Sequence, residues 1–342
     1  MKGIYIQFFI SLSILLGFNL YDSPYFKYPD YFPKPFYQFE NNILDSNKIK
    51  LGRMLFYDPI LSSDNTISCA SCHSPYNAFS HSDHQLSHGI NDQIGKRNAP
   101  ALFNLAWQKK FMWDGSINHL DVQPLAPISH SKEMNENIQN IILKISKSNF
   151  YKKLYNKSFG DSLITGERTL KALAQFQLTL VSCNSKFDYV KQGINSFTKK
   201  EKLGYQIFLK NCNICHQEPL FSTYQFANNG LTIDSTLKDY GKGSLTLQSK
   251  DSLLFKIPSL RNLSYSSPYM HDGRFKTLHQ VINHYNNKKY NHKNLSPEIL
   301  ELKSLNNNEV VNLISFLKTL DDSSFIYNKI TRFPILLLSK EN

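Results

Sequence analysis

Two pentapeptides in this chain set paired thiols beside an imidazole: Cys69-Ala70-Ser71-Cys72-His73 and Cys212-Asn213-Ile214-Cys215-His216. Two thiols at this spacing can add across the two vinyl groups of a haem. The adjoining histidine is then held below the iron as its proximal ligand. Each motif therefore reads as a haem c attachment site, with Cys69, Cys72, Cys212 and Cys215 forming thioethers and His73 and His216 binding iron. Two other chemistries use CxxC. A zinc site pairs two such units about 15–20 residues apart, whereas these lie far apart, and a redox dithiol needs a βαβ context that the sequence lacks. Of the five cysteines, only Cys183 is left over. It follows the apolar end of a helix and reads as a buried, inert thiol.

The elements that must position these motifs are mainly helical. Apolar spacing predicts helices around Ile49–Phe56, over 166–182 (Leu170, Leu173, Ala174, Phe176, Leu180) and over Lys199–Lys210. Thr277 can cap a helix with Leu278, Val281, Ile282 and Tyr285 on one face, and Asn308–Leu320 carries Val311, Ile314 and Leu317. Four prolines (Pro24, Pro29, Pro33, Pro35) forbid a continuous helix over 22–40, which reads as an extended entry segment. Alternating strand patterns are scarce. Helix, haem loop and further helices recur in the same order, so the expected fold is all-α and loop-rich, with two cytochrome c-like haem domains in tandem. Their expected spans are 40–185 and 197–322, with a C-terminal tail at 323–342.

With 342 residues, 41% hydrophobic and 19% charged, the chain has the composition and length of a two-domain globular protein. Its 39 basic against 27 acidic side chains give a formal charge of +12. Such a surface steers acidic partners or sits near anionic lipid, although a surplus of solvated lysines explains the figure equally well. No basic run interleaved with aromatics points to nucleic acid. At the N-terminus, Lys2 precedes an apolar stretch, Ile4–Leu20, broken only by Gln7, Ser11, Ser13 and Asn19. This describes a secretory signal over 1–21. An uncleaved N-terminal anchor is the alternative, because no clear small-x-small site follows. Either way the expectation is an exported, periplasmic body with no second membrane-spanning stretch.

The sequence around both motifs resembles the bacterial di-haem cytochrome c peroxidase and MauG family. The resemblance is carried by LGRMLFYDPILSSDNTISCASCHSPYNAFS, IGKRNAPALFNLA, FMWDGSINHLDVQPLAPISHSKEM, LKALAQFQLTLVSCNSKFD, YQIFLKNCNICHQEPLFSTYQFANNGL and KIPSLRNLSYSSPYMHDGRFKTLHQVINHY. These blocks run in the family's order from about residue 50 to 320. The resemblance implies a peroxide-reacting N-terminal haem on His73 and an electron-passing C-terminal haem on His216. It further implies Glu133 as distal acid/base, Gln123 as distal polar residue, Pro127 as a pocket-shaping residue and Trp113 as the ring between the haems. A calcium ion would take Asn98 and the carbonyls of Ser266 and Pro268. Hydrogen peroxide, a small electron donor (cytochrome c or cupredoxin) and a homodimer belong to the same set of expectations.

Two positions depart from the family's usual pattern. Ungapped alignment of Ser87–Asn98 puts Ile90 where many of these peroxidases carry a histidine that blocks the reactive iron. His88 falls two positions early, and with His81 and His84 it reads as a solvated loop. An open first haem, without reductive activation, would follow. The second departure is Tyr285, which stands where the peroxidases place methionine and MauG-like members place tyrosine. Tyr285 is thus the expected sixth ligand of the second iron, with Met270 as the rival and His284 or none as further options. Ser116 also replaces the arginine common after Trp-Asp-Gly. The leading expectation is a periplasmic peroxidase that reduces hydrogen peroxide to water. A MauG-like oxidase acting on a partner protein and a non-enzymatic electron carrier are the alternatives.

Overall fold

The computed structural model describes residues 23–287 and 292–341. The expected signal or anchor lies outside them. Among the described residues, no helix is long and apolar enough to cross a membrane. Nearly all regular structure is helical. The only named strands among the described residues are β1 (Phe226–Ala227) and β2 (Phe255–Lys256), paired antiparallel with Phe226 opposite Lys256.

Five helices set the frame: α1 (Ser46–Tyr57), α2 (Gly166–Leu178), α3 (Lys199–Asn211), α4 (Leu278–Asn287) and α5 (Asn307–Leu317). Their starts follow from local chemistry. Asp45 accepts from the N–H groups of Asn47 and Lys48 ahead of α1, and Thr165 accepts from Arg168 ahead of α2. Capping boxes Thr198–Glu201 and Asn306–Glu309 open α3 and α5. Helix α1 crosses α2 at Gly52, where a Cβ would lie 1.8 Å from the Ala172 carbonyl oxygen. Helix α3 crosses α5 at Gly204, where a Cβ would lie 1.9 Å from the Asn312 carbonyl oxygen. Only a residue without a side chain allows backbones this close. The same device thus serves each half.

Two apolar clusters result. One gathers Leu51, Leu55, Phe56, Phe79, Leu173 and Phe176; the other gathers Phe187, Phe208, Phe221, Leu313 and Phe316. The entry segment packs Phe26 and Phe32 against Trp107, and Phe325, Ile326 and Leu337 from the C-terminal stretch join the first cluster. Beside the second cluster the fully buried Arg261 donates to both carboxylate oxygens of Asp188 at 2.8 and 2.7 Å, and its guanidinium reaches the first cluster over the Phe32 ring, 5.2 Å from its centre. Tyr31 of the entry segment donates to the same carboxylate at 2.6 Å.

Two helical details differ from the sequence expectation. Helix α2 stops at Leu178 and not at 182, because the chain turns to pair Ser182 with Asn104 through two hydrogen bonds. On α5 the buried stripe is Val310, Leu313, Phe316 and Leu317, while Val311 is 51% exposed. Both stripes satisfy helical spacing, and the one holding the large Phe316 faces the core.

Candidate functional site

Both attachment motifs open onto one cavity of about 880 Å³, whose wall is largely apolar. That size lies toward the top of the roughly 300–1,000 Å³ typical of cofactor pockets. Cys69, Cys72, His73, Cys212, Cys215 and His216 all line it.

The imidazoles are prepared as neutral ligands. His73 Nδ1–H donates to the Phe79 carbonyl at 2.8 Å, and burial pushes its pKa down to about 4. His216 Nδ1–H is shared between the carbonyls of Pro258 (3.1 Å) and Phe221 (3.3 Å), and burial again pushes its pKa down to about 4. A carbonyl on Nδ1 fixes the tautomer and leaves the Nε2 lone pair available to a metal. No disulfide joins the thiols. Burial raises Cys69 and Cys212 to about 12 and Cys72 to about 11, so these sulfurs stay neutral. Among the described residues, no three His, Cys, Asp or Glu side chains converge as a metal cage. The residues present therefore fit two covalently held haems.

Beside the first motif, the wall carries Glu133, Gln123 and Pro127. Burial raises the Glu133 carboxyl above the usual carboxylate range, opposed by His130, whose ring nitrogen is 3.9 Å away, and by Arg97. Its charge is felt at Cys72, which places the carboxyl near the first attachment point. Gln123 Nε2–H donates to Met112 Sδ at 3.7 Å. Trp113 also lines the wall, its indole N–H donating to the Asn98 carbonyl at 2.9 Å.

Beside the second motif, α4 turns Leu278, Val281, Ile282 and Tyr285 to the cavity, the face expected from their spacing. Met270 shares this wall, and its sulfur accepts from Asn229 Nδ2–H at 3.5 Å. His284 instead donates its Nε2–H to the Asn229 carbonyl at 2.9 Å, which removes that nitrogen from the ligand set. Asn98, Ser266 and Pro268 line the same cavity, and the Asn98 amide N–H donates to Gln85.

In the histidine loop, His84 is exposed and His81 and His88 are half-buried. His81, His84 and His88 follow one another with tilted rings, their centroids 5.0 and 4.2 Å apart. His88 reaches the cavity wall, held by Asp92 at 2.8 Å. Ile90 is 3% exposed and packs into the protein, its N–H held by the Glu133 carbonyl. A turn with positive φ at Asn91 and Asp92 folds the loop back and brings His88 forward.

Among the wall residues given no role in the sequence are Lys256, Tyr224 and Gln177. The Tyr224 hydroxyl and Gln177 Oε1 are buried without a hydrogen-bond partner. A lysine flanked by Phe255 and Ile257 was the one signal available.

The comparisons agree with this geometry. Residues 46–196 match the family model for di-haem cytochrome c peroxidase. The chain is 34% identical over 311 residues to methylamine utilization protein MauG of Methylophilus methylotrophus, covering 89% of this chain and 90% of that protein. The chain belongs to the di-haem cytochrome c peroxidase and MauG family. Within this family it is also 32% identical over 281 residues to cytochrome c551 peroxidase of Nitrosomonas europaea, covering 81% and 80%. The crystal structure of a MauG-like protein associated with microbial copper homeostasis superposes with a TM-score of 0.80 at 27% identity, covering 90% of this chain and 98% of that one. Membership makes the chain a di-haem oxidoreductase acting on peroxide, with haem c as cofactor.

Proposed function

We propose that this chain is a periplasmic di-haem peroxidase that reduces hydrogen peroxide to water with electrons from a small donor protein, a cytochrome c or a cupredoxin. The observation that carries this reading is the half-buried Glu133 carboxyl on the cavity wall, whose pKa burial raises and whose charge reaches Cys72. When bound, haem c supplies redox-active iron, with His73 and His216 as its proximal ligands. Glu133 takes a proton from the inner peroxide oxygen at its carboxylate and delivers it to the outer oxygen, so that oxygen departs as water. Gln123 orients the peroxide with its amide, and Pro127 narrows the site. Each turnover consumes two electrons and two protons. Trp113, fixed by its bond to Asn98, offers an oxidisable ring that divides the electron path between the motifs into two shorter steps.

Tyr285 would join His216 in holding the second iron, with Met270 as the alternative on the same wall. Asn98 Oδ1 and the carbonyls of Ser266 and Pro268 are hard donors that suit calcium, and chelation should loosen Trp113 through Asn98. Export follows from Lys2 and the apolar stretch after it.

Tyr285 also favours a second reading, a MauG-like oxidase that acts on a partner protein. Steady-state turnover with peroxide and reduced cytochrome c separates the two. Rapid turnover supports the peroxidase; negligible turnover by protein that still reacts with peroxide supports the oxidase.

A further inference from the structure

The wall between the two motifs carries a lysine that nothing above uses. Lys256 ends β2, and its backbone N–H donates to the Trp113 carbonyl at 2.7 Å. Two residues on, the Pro258 carbonyl accepts from His216. The Lys256 ammonium therefore lies where the chain passes from the tryptophan to the second attachment motif. The surface it keeps open belongs to the cavity wall.

Its company is short of negative charge. The ammonium donates to Gln108 Oε1 at 2.6 Å and to the Lys110 carbonyl at 3.1 Å, both neutral, and stands 5.9 Å from the centre of the Phe111 ring. Asp114 is the carboxylate whose field reaches it, but Asp114 already accepts from Arg97 at 2.7 Å and from the Ser116 N–H at 3.0 Å. In this setting burial pushes the Lys256 pKa down to about 7. A buried cation held only by neutral acceptors is costly, and such groups are normally paired. Tyr224, on the segment that pairs with β2 through Gln225 and Ile257, adds a second donor to the wall, a buried hydroxyl with no partner. A cation whose hydrogen bonds all go to neutral oxygens, on a wall that also carries a hydroxyl with no partner, describes a site for an anionic group. Each haem c brings two carboxylates, on the edge away from its vinyl carbons.

We infer that Lys256 is the counter-cation of a haem carboxylate at the junction of the two motifs, and that it raises the reduction potential of that haem. The inference rests on the reading of both motifs as haem c sites. A positive charge favours the reduced iron, which carries one unit less. A unit charge about 10 Å from a redox centre, in an effective dielectric of about 20, shifts an equilibrium by roughly tenfold. Lys256 acts here as a positioning and tuning residue.

The test uses the mature full-length protein as wild type, K256M and K256R. Haem content by alkaline pyridine assay comes first. Fewer than two thioether-linked haems in the wild type overturns the haem reading itself, before any potential is measured. With both haems present, spectroelectrochemical titration follows each iron separately. For K256M, the ferric-to-ferrous ratio of one haem at fixed ambient potential should rise about tenfold, with the other displaced less, and K256R should restore the wild-type value. Titrations of K256M within about twofold of wild type at both haems overturn the inference, as does a K256R displaced as far as K256M. If K256M fails to mature, the redox-difference infrared spectrum of wild-type protein with 15N-labelled lysine decides. An isotope-sensitive lysine band is expected, and its absence overturns the assignment.

Discussion

The two halves hold their attachment motifs alike and cover them differently. Each crosses two helices through a glycine, Gly52 in one and Gly204 in the other, and each orients its imidazole with a backbone carbonyl. Near the first motif stand loop and short-helix residues, among them a carboxyl driven toward its protonated form by burial. Near the second lies α4, which turns a phenol and aliphatic side chains to the cavity. The attachment chemistry thus fixes where the iron sits and leaves its reactivity open. What the iron can do is decided by the wall that faces it. On the function proposed above, the wall with the carboxyl would serve the site that meets peroxide, and the wall of α4 the one that passes electrons.

The largest effect expected from this contrast is at Glu133. E133Q should lower peroxide turnover by about 10²- to 10⁴-fold while leaving haem content and the spectrum of the second haem unchanged. Y285F should do the reverse, changing the second haem's spectrum. Turnover by E133Q near the wild-type level would dissolve the distinction between the walls. The pH profile sharpens it. Burial raises the Glu133 pKa, and the carboxylate form is the one that accepts the peroxide proton. The rate should therefore climb with pH along a limb lying above the ordinary carboxylate range, and E133Q should lack that limb.

The next effect concerns what joins the halves. Burial opposes ionisation of Asp188, but the Arg261 guanidinium and the Tyr31 and Ser185 hydroxyls outweigh it and hold its pKa below the usual carboxylate range. D188N leaves a buried guanidinium unpaired and should cost roughly 3–5 kcal/mol by chemical denaturation. Because the folded-state pKa is depressed, this contribution is complete above the unfolded value near pH ~4 and disappears as pH falls through the folded value. Acid unfolding followed by circular dichroism should lose that dependence in D188N. If the wild type and D188N unfold at the same pH, the joint is not what couples the halves.

Smaller again is the cost at the shared helix crossing. A methyl at Gly52 or Gly204 meets a carbonyl oxygen of the partner helix, and neither backbone can yield alone. G52A and G204A should each lose about 1–3 kcal/mol or somewhat more, in similar measure. A large difference between them, read from denaturation midpoints, would show that the two crossings are alike in geometry but not in strength.

The attachment motifs were legible because covalent chemistry demands contiguous residues. The cavity face of α4 was legible because Leu278, Val281, Ile282 and Tyr285 keep helical spacing. Spacing could not choose between two stripes on α5, since Val311-Ile314-Leu317 and Val310-Leu313-Phe316 have the same period. Nor could it place His88 ahead of Ile90, which depends on a turn with positive φ. Arg261–Asp188 and the surroundings of Lys256 were hidden for another reason. Their partners come from distant parts of the chain, and single charged residues carry no pattern.

The helix starts offer the finest test of how alike the halves are. Asp45 presents a full negative charge to two N–H groups of α1, at 2.9 and 3.0 Å, where the helix dipole is positive. Thr198 presents a neutral hydroxyl to one N–H of α3, that of Glu201 at 3.3 Å. The other bond of its capping box runs from the Thr198 backbone to the Glu201 carboxylate and survives truncation of the threonine. Cap removal costs about 0.5–2 kcal/mol. D45A should therefore fall near the upper end and T198A near the lower, both with unaltered haem spectra. The reverse order in thermal midpoints would mean that α3 depends on its cap more than α1 does. The second half would then be the less securely packed of the two, despite the larger share of phenylalanines in its apolar cluster.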